Sequence, residues 1–107
     1  MLTLGHKIQV ADADYPEELN WDDAMYVCSN FGDGWRLPTK EELTGMHEFL
    51  HKKVEGNFQH TGYWSSSEHE GYPSTAWGFY FDPAGAHSPY DNPKSIKNRV
   101  RAVRTLL

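Results

Sequence analysis

The spacing of apolar residues changes period at Gly62, and that change limits the architectures open to this chain. Upstream, Trp21, Ala24, Met25, Val27, Cys28 and Phe31 recur at the three- and four-residue intervals of a helix face. Asn20 stands where an N-cap belongs, Asp22 and Asp23 occupy the first turn, and Gly32 and Gly34 predict the end. Thr39 with Glu42 three residues on forms a capping box, so a second helix starts at Lys40. Its inner face is read as Leu43, Met46, Phe49 or Leu50, and Val54, with Gly56 as terminator.

Downstream of Gly62 the pattern becomes that of strands. Tyr63–Ser67, Thr75–Phe81 and Arg99–Leu106 read as strands, the second with rings at 77, 79 and 81 on one face. A weaker alternation at Ile8–Ala11 gives a first strand before the helices. Residues 68–74 read as loop, and 82–97, with three prolines, as a long irregular segment of the kind that often carries function. Strands in a block after the helices imply an α+β fold with an antiparallel sheet, not βαβ units. The expected arrangement is one domain over residues 1–107, two helices on a small twisted sheet. A chain of 107 residues buries about two-thirds of its unfolded surface. With 38% hydrophobic residues, its core must lean on large rings, and four Trp, six Tyr and five Phe supply them.

A net charge of −5 argues against a nucleic-acid partner. Acids cluster at 12–23 and bases at 94–104, a pattern that suits either two complementary faces or a basic edge for an anionic ligand. Cys28 stands alone, so no internal disulfide is expected. Neither a signal peptide nor a membrane-spanning run is legible, which predicts a cytoplasmic or virion-associated protein without a membrane partner. Oligomeric state is not legible.

Trp21, Ala24 and Cys28, then Gly34-Trp35-Arg36-Leu37-Pro38-Thr39-Lys40-Glu41-Glu42-Leu43, Tyr63-Trp64-Ser65-Ser66-Ser67, Ala76-Trp77 and Val100-Arg101-Ala102-Val103-Arg104 together resemble a known family. It is the domain at the C-terminus of the bacterial collagen-like adhesin Lcl, shared with bacterial and phage proteins. The resemblance runs from about residue 20 to 104. It implies a C-type-lectin-like fold related to formylglycine-generating enzymes and to the variable proteins of diversity-generating retroelements. In the adhesin the domain is implicated in binding sulfated glycans. The catalytic cysteines of the formylglycine enzymes do not carry over to a chain with one Cys. Nor do the triplets of calcium-dependent lectins, because Asp91-Asn92-Pro93 is in the wrong order and no Trp-Asn-Asp occurs. The motif residues read first as architecture: Trp35 and Trp64 at helix–sheet junctions, Arg36 on carbonyls or a carboxylate, serines 65–67 on buried backbone groups.

His47-Glu48-Phe49-Leu50-His51 is a literal zinc-hydrolase signature on a helix, with Glu48 as general base. The third ligand it needs finds no recognisable place among His60, Glu68, His69 and Glu70, and Leu43, Met46 and Leu50 turn Glu48, His51 and Lys52 outward. The expected function is therefore non-enzymatic recognition of a glycan or protein surface, carbohydrate-binding and adhesin-like, with no cofactor and no metal. Its candidate residues are Tyr72, His87, Tyr90, Asp91, Asn92 and Lys94 in loops 68–74 and 82–97. The alternatives are the zinc hydrolase and a structural or assembly domain of a phage or cell-surface particle.

Overall fold

A computed structural model describes residues 2–50, 56–59, 61–81 and 89–106. The chain opens with a hairpin, β1 (Leu2–Leu4) against β2 (Ile8–Val10), in the register Leu2 with Val10. Gly5, at φ +64, makes its turn. Then come α1 (Trp21–Ser29), α2 (Lys40–Phe49), β3 (Gly62–Glu68), β4 (Thr75–Tyr80), β5 (Pro89–Pro93) and β6 (Val103–Thr105). The strands form two antiparallel three-stranded sheets, β1-β2-β6 and β3-β4-β5, where one sheet was expected. The α+β class stands.

Both helices begin where the sequence places them, because their start signals are local. The Asn20 side chain accepts from Asp23 N at 2.9 Å. Thr39 Oγ1 accepts from Glu42 N at 3.1 Å while Glu42 Oε1 accepts from Thr39 N at 2.8 Å. At the end of α2, Leu50 is the buried cap residue and Phe49 is 58% exposed, which settles the inner face on Leu50. Val54 lies outside the described residues.

Three strand expectations are corrected. The β1–β2 hairpin was not foreseen. Within 82–97, residues 82–88 lie outside the described part, but Pro89–Pro93 is a regular strand, not irregular loop. It pairs at the sheet edge in the register Gly78 with Tyr90, where its outer N–H positions are free to be proline. The strand expected over Arg99–Leu106 is regular only at Val103–Thr105. Upstream of it the chain changes partners at almost every residue, bridging Asn98 to Leu19 and Arg99 to Tyr63.

Two apolar clusters result. One, under α2, gathers Leu43, Met46, Leu50, Tyr63, Phe79 and Phe81 between the sheets. The other, under α1, gathers Trp21, Ala24, Cys28, Leu37, Trp64 and Ala76. Alternation explains the split: Tyr63 and Trp64 of β3, like Phe79 and Ala76 of β4, face opposite sides of a sheet buried on both.

Candidate functional site

β3 leaves the core through a bulge between Trp64 and Glu68. Its serines satisfy the backbone there. Ser65 Oγ donates to Trp77 O at 2.6 Å, Ser66 N to Pro38 O at 2.8 Å, and Ser67 Oγ accepts from Lys40 N at 3.0 Å. The bulge thereby locks the first turn of α2 beside loop 68–74. The loop is in turn tied to itself, with Tyr72 N donating to His69 O at 3.1 Å and Thr75 N to Tyr72 O at 2.9 Å.

These constraints build a ladder of rings. His69 stacks on Trp77 with centroids 5.0 Å apart and contacts Tyr72 at 4.9 Å. Lys40 Nζ lies 4.3 Å from the Trp77 centroid. A depression of about 330 Å³ opens between Lys40, Glu41, Ser67, Glu68, His69 and Trp77. Glu70 also lines it, and Asp91 is the cross-strand neighbour of Trp77. Both lysines at the site are already engaged: Lys94 Nζ sits 3.2 Å from Glu68 Oε2 and 4.3 Å from the Trp21 ring centroid. The surface therefore offers the exposed Tyr72 ring, the half-buried edges of His69 and Trp77, and carboxylate acceptors. It suits a ligand that presents C–H faces and hydroxyl donors.

The expected site residues do not all converge. Tyr72, 60% exposed, and Asp91 lie beside the ladder, Lys94 reaches it only through Glu68, and within β5 alternation separates Asp91 from its neighbours. Tyr90 and Asn92 project to the other face of β5, beside Gly62 and Gly78. There Asn92 is buried, and burial raises the Tyr90 phenol, with Tyr80 adding and the neighbouring Asn92 amide opposing. The Asn92 amide nitrogen approaches Tyr90 without completing a well-formed hydrogen bond. His87 lies outside the described residues. Sequence reading missed Lys40, His69 and Trp77 as members of the site. Trp77 was grouped with the core rings of β4, and nothing local shows that α2 stops short of covering it.

His47 is fully buried, its ring 5.2 Å from Phe79 and 5.4 Å from Phe81, while adjacent Glu48 is exposed. His51 and His60 lie outside the described residues. Among those described, no group of three His, Cys, Asp or Glu side chains could hold a metal ion. Two arginines of the basic run at 94–104 are committed internally: Arg101 pairs with Asp14 at 2.8 Å and Arg104 donates to Gln9 Oε1 at 2.6 Å. Arg101–Asp14 is thus one ion pair joining the basic and acidic clusters, while Lys97 is exposed.

Two helices, two antiparallel sheets and a ring-lined, carboxylate-rimmed depression define a small α+β domain. The chain belongs to the Lcl C-terminal domain family, whose model matches residues 7–104 and so includes β2 as well as the motifs. Comparison with curated proteins gives no match. No helix among the described residues is long and apolar enough to cross a membrane.

Proposed function

We propose that this domain is a non-enzymatic recognition module that binds a hydroxyl-rich, uncharged glycan at the Tyr72–His69–Trp77 ladder. The observation that carries the reading is the ladder itself, three rings rimmed by Glu41, Glu68, Glu70 and Asp91. Rings stack on the apolar faces of pyranoses and carboxylates accept hydroxyl hydrogens. Excess carboxylate over unengaged ammonium disfavours a sulfated chain. Family membership, with two helices followed by antiparallel strands, supports a C-type-lectin-like fold for the module.

An array of neutral and sulfated oligosaccharides, followed by calorimetric titration with the best neutral binder, tests the reading. Tyr72→Ala should weaken that binding by roughly tenfold, the worth of one lost ring contact, and leave Tm near wild type. Asp91→Ala should weaken it as well. Binding restricted to sulfated chains, or indifferent to both substitutions, would overturn the proposal. A protein ligand would show as a silent array with Tyr72-dependent binding to a polypeptide.

A further inference from the structure

We infer that the cavity between the C-terminal half of α1, β2 and residues 11–16 is a second binding site, for a small, uncharged, largely apolar molecule. It measures about 470 Å³ and shares no lining residue with the depression beside Trp77. Small-molecule sites run from roughly 300 to 1,000 Å³.

The cavity has a structural cause. α1 is pinned at its first turn, where Trp21 Nε1 donates to Ser65 O at 2.9 Å and Trp21 N to Lys94 O at 3.0 Å. Beyond that turn the helix meets the interior through Ala24 and Cys28, in the same cluster as Ala11 and Ala102. These four small side chains fill little of the space between the helix end and β2. Across from it, the backbone of residues 11–15 bonds to the backbone of the 100–102 segment only at the two ends, Ala11 N to Ala102 O at 2.9 Å and Tyr15 N to Val100 O at 2.8 Å. Residues 12–14 arch between these bonds, and the arch is held open because Asp14 is drawn to Tyr63 and Arg101 at 2.7 and 2.8 Å. Phe31 and Trp35, edge to face at 5.2 Å, make the third wall, and Arg104 braces Trp35 at 4.9 Å.

The lining selects the ligand. Val10, Val27, Phe31, Trp35 and Val100 present apolar surface. Most polar groups in the wall are spent: Gln9 accepts from Arg104, and Asp14 from Tyr63 and Arg101. Burial pushes the Cys28 thiol up to about 12, so it meets a ligand uncharged. Asp12 lines the cavity as an exposed carboxylate without an ion pair among the described residues, and the chain carries −5 overall. An anion is therefore repelled and an uncharged molecule is not. Asp12, Ala13 and Phe31 of the lining are exposed, so the space is a cleft that a ligand can enter directly from solvent.

Fluorescence titration of the full chain with N-phenyl-1-naphthylamine, which is uncharged and brightens in apolar surroundings, tests the site. Saturable binding of one probe per chain is expected. Ala13→Phe and Val27→Phe, which fill the cavity from opposite walls, should each weaken it by roughly tenfold without lowering Tm. Tyr72→Ala should leave it unchanged. The sulfonated analogue 8-anilinonaphthalene-1-sulfonate should bind more weakly. Non-saturable binding, or binding that survives both filling substitutions, overturns the site, and equal affinity for the sulfonate overturns the choice of an uncharged ligand.

Discussion

Arg101 shows how a residue in a basic run can serve the interior. It is 1% exposed, and its fork donates to Asp14 Oδ1 at 2.8 Å, Ala11 O at 3.0 Å and Gly56 O at 2.9 Å while lying 4.1 Å from the Phe58 centroid. Asp14 in turn accepts from the Tyr63 hydroxyl, which accepts from Gln59 N at 2.9 Å. One guanidinium thus joins the 11–14 arch, the 56–59 segment and β3. Removing it leaves the Asp14 charge uncompensated, so Arg101→Ala should cost about 3–5 kcal/mol in urea unfolding. A loss under about 1 kcal/mol would show that the network is not coupled. Gly62 is a second such position, for a steric reason. A Cβ there would collide with the Tyr90 hydroxyl and come within 2.8 Å of Asn98 Oδ1. Gly62→Ala should therefore lower Tm markedly, and Gly62→Ala with Tyr90→Phe should recover part of the loss. Absence of any recovery would place the strain elsewhere.

At the scale of elements, the start of α2 carries a pH-dependent contribution. Glu42 accepts from Thr39 N and takes both arms of Arg36 at 2.7 and 2.9 Å. Burial alone would raise its carboxyl, but the hydrogen bonds from Arg36 and Thr39 outweigh it and hold the group below its ordinary value. A carboxyl lowered in the folded state stabilises above its unfolded pKa, about 4.3, and that stabilisation disappears as pH falls through the folded value. Glu42→Gln should hence cost about 1 kcal/mol at pH 7, modest because the Arg36 side chain is 37% exposed. The gap to wild type should close below pH about 4. A gap independent of pH would assign the effect to shape, not charge. The helix start was legible because every participant lies within six residues of another. β5 was not, since Pro89 and Pro93 veto a strand by local rules and only an edge position in the finished sheet admits them. The 98–105 segment was half legible: its apolar residues were evident, but its successive pairings with Leu19, Tyr63, Arg36 and β2 are long-range facts. The candidate site failed in the same way. Tyr72 announces itself in a loop, whereas Lys40 and His69 reach Trp77 only once the serine bulge has docked on α2.

The whole molecule joins two apolar clusters through one sheet, and each cluster holds a titratable group that must remain neutral. Under α1 the Cys28 thiol is raised by burial from 9.0 to about 12. Under α2 the Tyr63 phenol is raised from 10.0, by burial first and then by the Asp14 carboxylate it donates to. Both groups bind their protons more tightly folded than unfolded. Their stabilisation is complete below the unfolded values, 9.0 and 10.0, and is lost as pH rises toward the folded ones. Each group should remove about 1.4 kcal/mol per pH unit within its own window, so the loss steepens where the windows overlap. Urea midpoints measured from pH 8 upward should be flat at first, then fall with one slope, then with a steeper one. Cys28→Ala should delete the first phase and Tyr63→Phe the second, each at some cost in stability at pH 8. Breaks that survive both substitutions, or a midpoint flat across the whole range, would overturn the assignment of the alkaline loss to these two buried groups.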